Sequence, residues 1–241
     1  MFIDTPPSSE KRLGLTDTFR FSCHSRLSCF NRCCRNKHLP LTPYDVIRIK
    51  RALLLFSDDF LTQYAVYRLD PRSGFPILSL KMKGAEKVCP FVGLEGCEIY
   101  DDRPTACRLF PLGRLSAFGN EKEEIFHLLD VRGCEGIRES DVQRVDQWRI
   151  DQGLLSYNEM NDRMLEILFH PKRDRSTPLN EGQQQKVMVA CYNVDIFREF
   201  VFHTGFLELF QIDTVTRKKI REDDEALLLL GFSYLKKTLF P

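Results

Sequence analysis

Eight cysteines lie between positions 23 and 134, and their thiols are the side chains of this sequence best suited to metal binding or redox chemistry. Two of them, Cys33 and Cys34, are adjacent in the stretch FSCHSRLSCFNRCCR, which spans residues 21–35. A disulfide between neighbours would be strained, and two small buried residues would need no sulfur. Because adjacent side chains leave the backbone in different directions, the pair could serve two metals, or one thiol could bind while the other packs or exchanges. The eight positions are Cys23, Cys29, Cys33, Cys34, Cys89, Cys97, Cys107 and Cys134.

The spacing of these thiols favours a metal site and leaves the metal open. No two of the eight have the two-residue spacing found in most zinc ribbons, although thiolates from separate loops can still meet at one zinc ion. Cys89 is followed by Pro90, a pairing that occurs at ligands of some iron–sulfur proteins. The alternative is that the cysteines are buried thiols that only pack in the core, but eight cysteines in this order fit that alternative poorly. Cys191 differs, because it falls on the apolar side of a predicted helix, and we expect it to pack.

Basic residues accompany the sulfurs. Four thiolates around zinc or an oxidised four-iron cluster leave a net charge of about −2, which calls for nearby donors and cations. Residues 20–38 contain no Asp or Glu, and further arginines surround Cys107. We therefore prefer charge compensation over a phosphate-binding patch, and binding to nucleic acid is not favoured. The basic residues are Arg20, Arg26, Arg32, Arg35, Lys37, Arg103, Arg108 and Arg114.

The composition is that of a globular protein without a dominant charge. The chain has 241 residues, 43% of them hydrophobic, and a formal net charge of +1, so it can hold one large or two ordinary domains. No apolar run is long enough to span a bilayer, and the first residues lack a signal-peptide pattern. We therefore expect a cytoplasmic protein that does not bind a membrane. In a reducing compartment the thiols would serve a metal or redox site rather than disulfides.

The local patterns predict an α+β fold, mostly α. Thr42-Pro43 predicts a helix start, a second helix follows Ser57, and alternation between residues 74 and 83 predicts a strand. A hairpin is expected at Gly119-Asn120, with a return strand over residues 124–129. Capping-box spacings at Ser140 and Ser156 predict two helices. The second of these ends before Pro171, a longer helical pattern follows over residues 187–201, and a last helix covers residues 223–239.

These patterns divide the chain into three parts. Residues 1–19 are predicted to form an N-terminal arm, residues 20–139 a cysteine-cluster module with short strands, and residues 140–241 a helical region on which that module packs. The Arg103-Pro104 step predicts the start of a helix that carries Cys107. Arg103 could then pair with Asp101 or Asp102, or with the cluster. Tyr100 could cover a metal site or belong to the core, and His24 is expected at the surface.

The ordered motifs FSC, CxxxCC, CPFVGLEGCEIYDDRPTACRLFP and GCEGI resemble the YkgJ family of zinc- or iron-chelating cysteine-cluster domains. The resemblance covers about residues 20–140. It includes Cys89-Pro90, Gly96-Cys97 and Cys107-Arg108. One departure is Glu135, which stands where a proline is common in the family.

The resemblance implies a cysteine cluster that chelates iron or zinc, and it implies an iron–sulfur cluster in a flagellin lysine N-methylase that shares the domain. Our first hypothesis is an iron–sulfur protein, with 4Fe–4S as the favoured cofactor, that acts with a redox partner or within a protein-modification system such as lysine methylation. The alternative is a zinc-stapled module whose helical half docks a protein partner. No nucleotide or S-adenosylmethionine motif is present, and the residues do not assign an enzymatic reaction.

Overall fold

A computed structural model describes residues 12–116, 124–129 and 132–240. Helix predominates over strand in this part of the chain, and the strands form small separate sheets. The fold class is therefore α+β, as the sequence predicts. The helices are α1 (Pro43–Ala52), α2 (Ser57–Tyr64), α3 (Thr105–Leu109), α4 (Val145–Asp151), α5 (Leu154–Leu168), α6 (Glu181–Val187), α7 (Val194–His203), α8 (Phe206–Leu209), α9 (Thr214–Glu222) and α10 (Asp224–Leu239).

The strands are short, and most have two or three residues. They pair in the orders β1-β9-β8, β10-β2, β3-β5-β4 and β6-β7. Their bounds are β1 (Arg12–Leu13), β2 (Thr18–Arg20), β3 (Pro40–Leu41), β4 (Ala65–Leu69), β5 (Pro76–Leu80), β6 (Val92–Gly93), β7 (Gly96–Cys97), β8 (Leu112–Ser116), β9 (Glu124–Leu128) and β10 (Val142–Arg144).

The chain divides into two compact units. The first, here called the cysteine unit, comprises the described residues within Met1–Pro40 and Met82–Glu159. The second, here called the helical unit, comprises those within Leu41–Lys81 and Met160–Pro241. Residues 41–81 therefore group with the C-terminal helices, whereas the sequence analysis placed them in the cysteine-rich module. The predicted boundaries near residues 19 and 139 stay a prediction.

The cysteine unit has its own apolar core beneath the cysteine loops. The core lies between the β1-β9-β8 sheet, the β10-β2 pair and the start of α5, and the partly buried Cys134 and Trp148 pack against it. Trp148 meets the rings of Phe19 and Phe21 edge-on. The loops that carry the sulfurs are thus anchored on a packed base. The core residues are Leu13, Phe19, Phe21, Leu109, Leu112, Phe126, Val145 and Leu154.

The helical unit packs α1 against α2 and α10, and α2 against α7. Its helix starts follow local rules: Thr42 and Asp45 form a capping box at α1, and the Asp223 carboxylate caps α10. A partly buried ion-pair network joins α1, α7 and α10, in which Lys50 Nζ lies 3.0 Å from Asp195 and 2.9 Å from Asp224. The apolar core of this unit includes Val46, Ile49, Phe60, Leu78, Val187, Cys191, Phe197, Leu227 and Leu235.

Most predicted elements of the helical unit are confirmed. α1, α2, β5 and α10 occur where the sequence places them. The pattern over residues 187–201 does lie on a buried face, but a π-helical turn at Met188–Tyr192 separates α6 from α7. α5 ends before Pro171 as expected, although it begins at Leu154, so Ser156 lies inside the helix rather than at its cap.

The helix start predicted at Ser140 is wrong, although a helix does follow a few residues later. Residues 142–144 form β10, which pairs with β2, and α4 begins only at Val145. Cross-strand pairing gives these residues backbone partners that the capping pattern did not anticipate. The predicted hairpin is present as the antiparallel pair β8 and β9, while its turn at Gly119-Asn120 lies outside the described residues.

Candidate metal centre

The N-terminal cysteines lie on a loop that is hydrogen-bonded to the segment around Cys134. The Ser22 amide donates to the Gly136 carbonyl at 3.0 Å, which holds the residue before Cys23 beside the residue two after Cys134. A 3-10 turn at Arg32–Cys34 then carries the adjacent thiols. This turn starts after Asn31, whose φ of 64° is left-handed, a conformation that asparagine tolerates better than most residues. Local turns, rather than helices, therefore present these sulfurs.

Cys29 and Cys134 approach each other through Glu135. The Glu135 amide donates to Cys29 Sγ at 3.3 Å. The Glu135 carboxylate accepts from the Ser28 amide at 3.0 Å and from its hydroxyl at 2.6 Å. A proline at position 135 would have no N–H to donate, so it could not make this contact to Cys29.

A small hairpin holds Cys89 and Cys97 and connects them to Cys34. The Cys89 amide donates to the Cys34 carbonyl at 2.8 Å. β6 and β7 pair so that Val92 faces Cys97, and the Val92 amide points back to the Cys89 carbonyl at 3.4 Å. The contact between Cys89 and Cys34 connects positions more than fifty residues apart, which no local motif specifies.

Cys107 lies in the middle of α3, a single helical turn that begins after Pro104 as predicted. The Arg103 guanidinium binds the Tyr100 carbonyl at 2.5 Å and the Gln152 side chain at 2.6 Å, and it lies 3.7 Å from the centre of the Tyr100 ring. Burial lowers the pKa of Arg103, whereas Tyr100, Cys107 and Cys97 act to raise it. Arg103 therefore faces the cysteine region.

Backbone amides point at several of the sulfurs. Phe91 donates to Cys89, and Ile99 donates to Cys97, in both cases from two residues beyond the cysteine. Gly136 and Ile137 donate to Cys134. Hydrogen bonds of this kind stabilise a thiolate and tune a metal bound to it. Sequence analysis missed these donors because every residue except proline carries an amide, so residue identity gives no signal for them.

The thiols influence one another electrostatically. Burial, together with the neighbouring Cys33, Cys134 and Cys29, raises the pKa of Cys23 to about 11. Cys33 accepts a hydrogen bond from the Cys34 thiol, which lowers the pKa of Cys33 to about 6 and raises that of Cys34. Burial also raises the pKa of Cys89, Cys97 and Cys134. Most of the cluster thus keeps its protons until a cation replaces them.

Three basic residues act on cysteines of the cluster. Lys37 acts on Cys33, Lys83 acts on Cys89, and Arg103 acts on Cys97. Other members of the basic set bind elsewhere: Arg35 pairs with Glu86, Arg114 pairs with Glu124, and Arg108 binds backbone carbonyls and lies over the Tyr157 ring.

Three further residues from the sequence analysis are also placed. Tyr100 is 58% exposed, so it is not a core residue. His24 lies 3.6 Å from Glu139. Cys191 is fully buried in the helical unit, with its sulfur 3.9 Å from the Met164 sulfur, as expected for a packing role.

Within residues 12–116, 124–129 and 132–240, no group of three or more Cys, His, Asp or Glu side chains is already arranged to hold a metal ion. All nine thiols are free of disulfides. The chemistry of the donor set nevertheless fits zinc or iron, because all eight donors are thiols and four of them, Cys29, Cys89, Cys97 and Cys134, receive amide hydrogen bonds. Thiolates repel until a cation neutralises them, so a short final approach is expected to accompany binding. The assignment of the eight cysteines as ligands stays a prediction.

Fold and site together define an α+β protein in which eight cysteines lie on loops, turns and very short helices and strands. Residues 22–128 match the family model CxxCxxCC, whose description is "Putative zinc- or iron-chelating domain". The match includes every clustered cysteine except Cys134, and it indicates chelation of zinc or iron. No curated protein and no solved structure matches the chain. None of the described helices has the length and hydropathy needed to cross a membrane.

Proposed function

We propose that this chain is an iron–sulfur protein of the YkgJ type. The eight clustered cysteines supply the ligands for a 4Fe–4S cofactor, which exchanges electrons with a protein partner. The observation that carries the proposal is the set of amide hydrogen bonds to Cys29, Cys89, Cys97 and Cys134. Such donors lower the cost of negative charge on sulfur and are among the features that set cluster potentials.

Exposure of the site supports an electron-transfer role. Cys23, Cys33 and Cys107 are solvent-exposed, so a bound cluster would lie near the surface, where a redox partner can approach. The resemblance extends the proposal to the redox part of a protein-modification system, with lysine methylation as the example it offers. We propose a cytoplasmic location, without membrane or nucleic-acid binding.

A zinc-stapled binding module is the second candidate. It is favoured by the small size of the elements around the sulfurs: β6 and β7 have two residues each, and α3 has five. Elements this short do not hold their geometry unaided, and a structural zinc ion supplies folding free energy directly. In that case the helical unit would dock a protein partner.

Anaerobic purification followed by analysis for iron, zinc and acid-labile sulfide separates the candidates. The first candidate predicts iron and sulfide in equal amounts and a brown colour that bleaches in air. Stoichiometric zinc without iron would support the second candidate and remove the first. A protein that binds neither metal after anaerobic reconstitution would contradict both.

Single substitutions test the ligand set under either candidate. Cys33→Ser, Cys89→Ser, Cys97→Ser and Cys107→Ser should each lower the metal content and destabilise the cysteine unit, because site assembly and folding are coupled. Cys191→Ser is the matched control, since its thiol is buried in the helical unit, and it should retain the metal. Full occupancy in all four variants would show that the ligand set is wrong.

A further inference from the structure

The strand β4 forms an open edge of the β3-β5-β4 sheet in the helical unit. It pairs with β5 along its whole length, and within residues 12–116, 124–129 and 132–240 no strand pairs with its other side. A strand edge of this kind presents a row of backbone donors and acceptors that another chain can use. The outer edge of β4 is therefore a candidate contact surface.

The hydrogen bonds at the two ends of β4 show which of its residues bond to β5. Just before the strand, the Lys81 amide donates to the Tyr64 carbonyl at 2.7 Å. Just after it, the Asp70 amide donates to the Phe75 carbonyl at 2.9 Å. Bonded and non-bonded pairs alternate along an antiparallel ladder, so the even-numbered residues of β4 bond to β5.

The odd-numbered residues Ala65, Tyr67 and Leu69 direct their N–H and C=O groups toward the open edge. One of these groups is already used, because the Ala65 amide donates to the Leu61 carbonyl at the end of α2. In the part of the chain that the structure describes, no partner is found for the amides of Tyr67 and Leu69 or for the Ala65 carbonyl. A further strand would satisfy these groups.

The side chains of β4 do little to protect this edge. Val66, Tyr67 and Leu69 are 49%, 65% and 41% exposed. Natural edge strands are often protected by proline, by charged side chains or by a covering segment, whereas β4 contains no proline and a single charge, Arg68. Arg68 attracts the nearby Asp70 carboxylate, so this end of the strand is close to neutral and two copies of it do not repel each other.

We propose that β4 pairs antiparallel with β4 of a second copy of this chain, with Tyr67 opposite Tyr67 on the two-fold axis. The two Tyr67 residues then exchange N–H and C=O bonds, and each Leu69 amide donates to the Ala65 carbonyl of the other copy. The small Ala65 side chain leaves room for the opposing Leu69. The contact is the same on both copies, as a two-fold interface requires, and it joins two three-stranded sheets into one.

Charge and hydrogen bonding select this register among those open to the strand. A shift in one direction sets Arg68 opposite Arg68, and like charges in direct opposition are destabilising. A shift in the other direction sets Val66 opposite Val66 and requires the Ala65 amide, which α2 already uses. In the proposed register Arg68 faces the apolar Val66 of the other copy, along which its aliphatic stem can lie. The edge is thus complementary to itself, and the inference does not depend on the proposed metal-binding function.

Sedimentation velocity of the full-length protein, from about 1 μM to about 1 mM, tests the association. Reducing buffer prevents the free thiols from forming disulfides between chains. Because a short strand pair buries little surface, we expect a reversible change from the mass of one chain to twice that mass as the concentration rises. The mass of a single chain at every concentration would overturn the proposal.

Residue-resolved hydrogen exchange identifies the surface that makes the contact. The amides of Tyr67 and Leu69 should exchange at least about tenfold more slowly in the dimer than in the monomer, because they gain hydrogen bonds. The amides of Val66 and Arg68 are internal controls, since they bond to β5 in both states and should be protected in both. A dimer in which Tyr67 and Leu69 exchange as fast as in the monomer would refute the pairing through β4.

Substitutions on the two-fold axis test the register. Tyr67→Lys opposes two like charges and should keep the protein monomeric, whereas an equimolar mixture of Tyr67→Lys and Tyr67→Glu should form a dimer that neither variant forms alone. Val215→Lys is the matched control, because Val215 is 80% exposed in the same unit, and it should dimerise like the wild type. Dimerisation of Tyr67→Lys at wild-type concentrations would contradict the register. If a variant fails to fold, hydrogen exchange of the wild-type protein still decides.

Discussion

Gly136→Ala should weaken the backbone contact between the loops that carry Cys23 and Cys134. A Cβ atom at this position would lie 2.6 Å from the Ser22 carbonyl oxygen and 3.0 Å from Cε2 of Phe21. Both neighbours are constrained, because Ser22 also donates to the Gly136 carbonyl and the Phe21 ring is buried in the core. The loops must therefore move apart.

The expected cost follows from three contributions. Overpacking against a fixed neighbour costs about 1–3 kcal/mol, and the strained Ser22–Gly136 hydrogen bond is worth about 1 kcal/mol. Alanine lowers the conformational entropy of the unfolded chain relative to glycine, which offsets about 0.4–1 kcal/mol of this destabilisation. The net loss is about 2 kcal/mol in the free energy of unfolding, which lowers the urea midpoint by about 1 M if the m-value is about 2 kcal/mol per M.

Trp148 fluorescence is the natural assay, because it is the only tryptophan and its ring lies 5.6 Å from that of Phe21. Gly14→Ala is the matched control in the same unit, since its added Cβ meets only Asp17 Oδ2, at an ordinary 3.7 Å. We expect the control to unfold with the wild-type midpoint. Equal midpoints for Gly136→Ala and Gly14→Ala would refute the argument from close packing.

Three further predictions concern charge and thiol chemistry. Lys50→Met should destabilise the helical unit by about 1–3 kcal/mol in thermal or urea unfolding, because it removes the cation between Asp195 and Asp224 and leaves Arg198 alone to compensate both carboxylates. Arg217→Met, at an exposed pair, should cost less than about 1 kcal/mol, and equal losses would contradict this prediction. Burial raises the pKa of Asp195, but hydrogen bonds from the Ser57 amide and Lys50 outweigh burial and lower it overall. The stabilisation from the ionised Asp195 carboxylate is present above its unfolded pKa of about 3.9 and is lost as the pH falls through its lower pKa in the folded protein. The free energy of unfolding should therefore fall less steeply between pH 6 and pH 3 for Asp195→Asn than for the wild type. Parallel curves for the two proteins would contradict this prediction. In the metal-free protein at pH 7, iodoacetamide should modify Cys33, with a pKa of about 6, at least about tenfold faster than Cys23, which is also exposed but has a pKa of about 11. Mass spectrometry measures both rates, and similar rates would contradict the lowered pKa of Cys33.

The sequence by itself determined the elements whose signals are local. α1 begins where it does because Thr42, Pro43 and Asp45 satisfy its first amides within one turn, and no distant contact is required. The apolar periodicity around Cys191 likewise marked a buried face, because a helix repeats its contacts every three or four residues. Residue type alone also indicated thiolate chemistry, since few other side chains bind zinc or iron as cysteine does.

Tertiary structure decided everything that depends on segments meeting across the sequence. The capping pattern at Ser140 does not start a helix, because residues 142–144 instead form a strand that pairs with β2, more than one hundred residues away. The grouping of the cysteines has the same origin: amides of Glu135 and Cys89 reach Cys29 and Cys34 only after the loops fold over the shared core. Such backbone donors exist at every residue except proline, so their positions follow from the fold and not from the spacing of the cysteines.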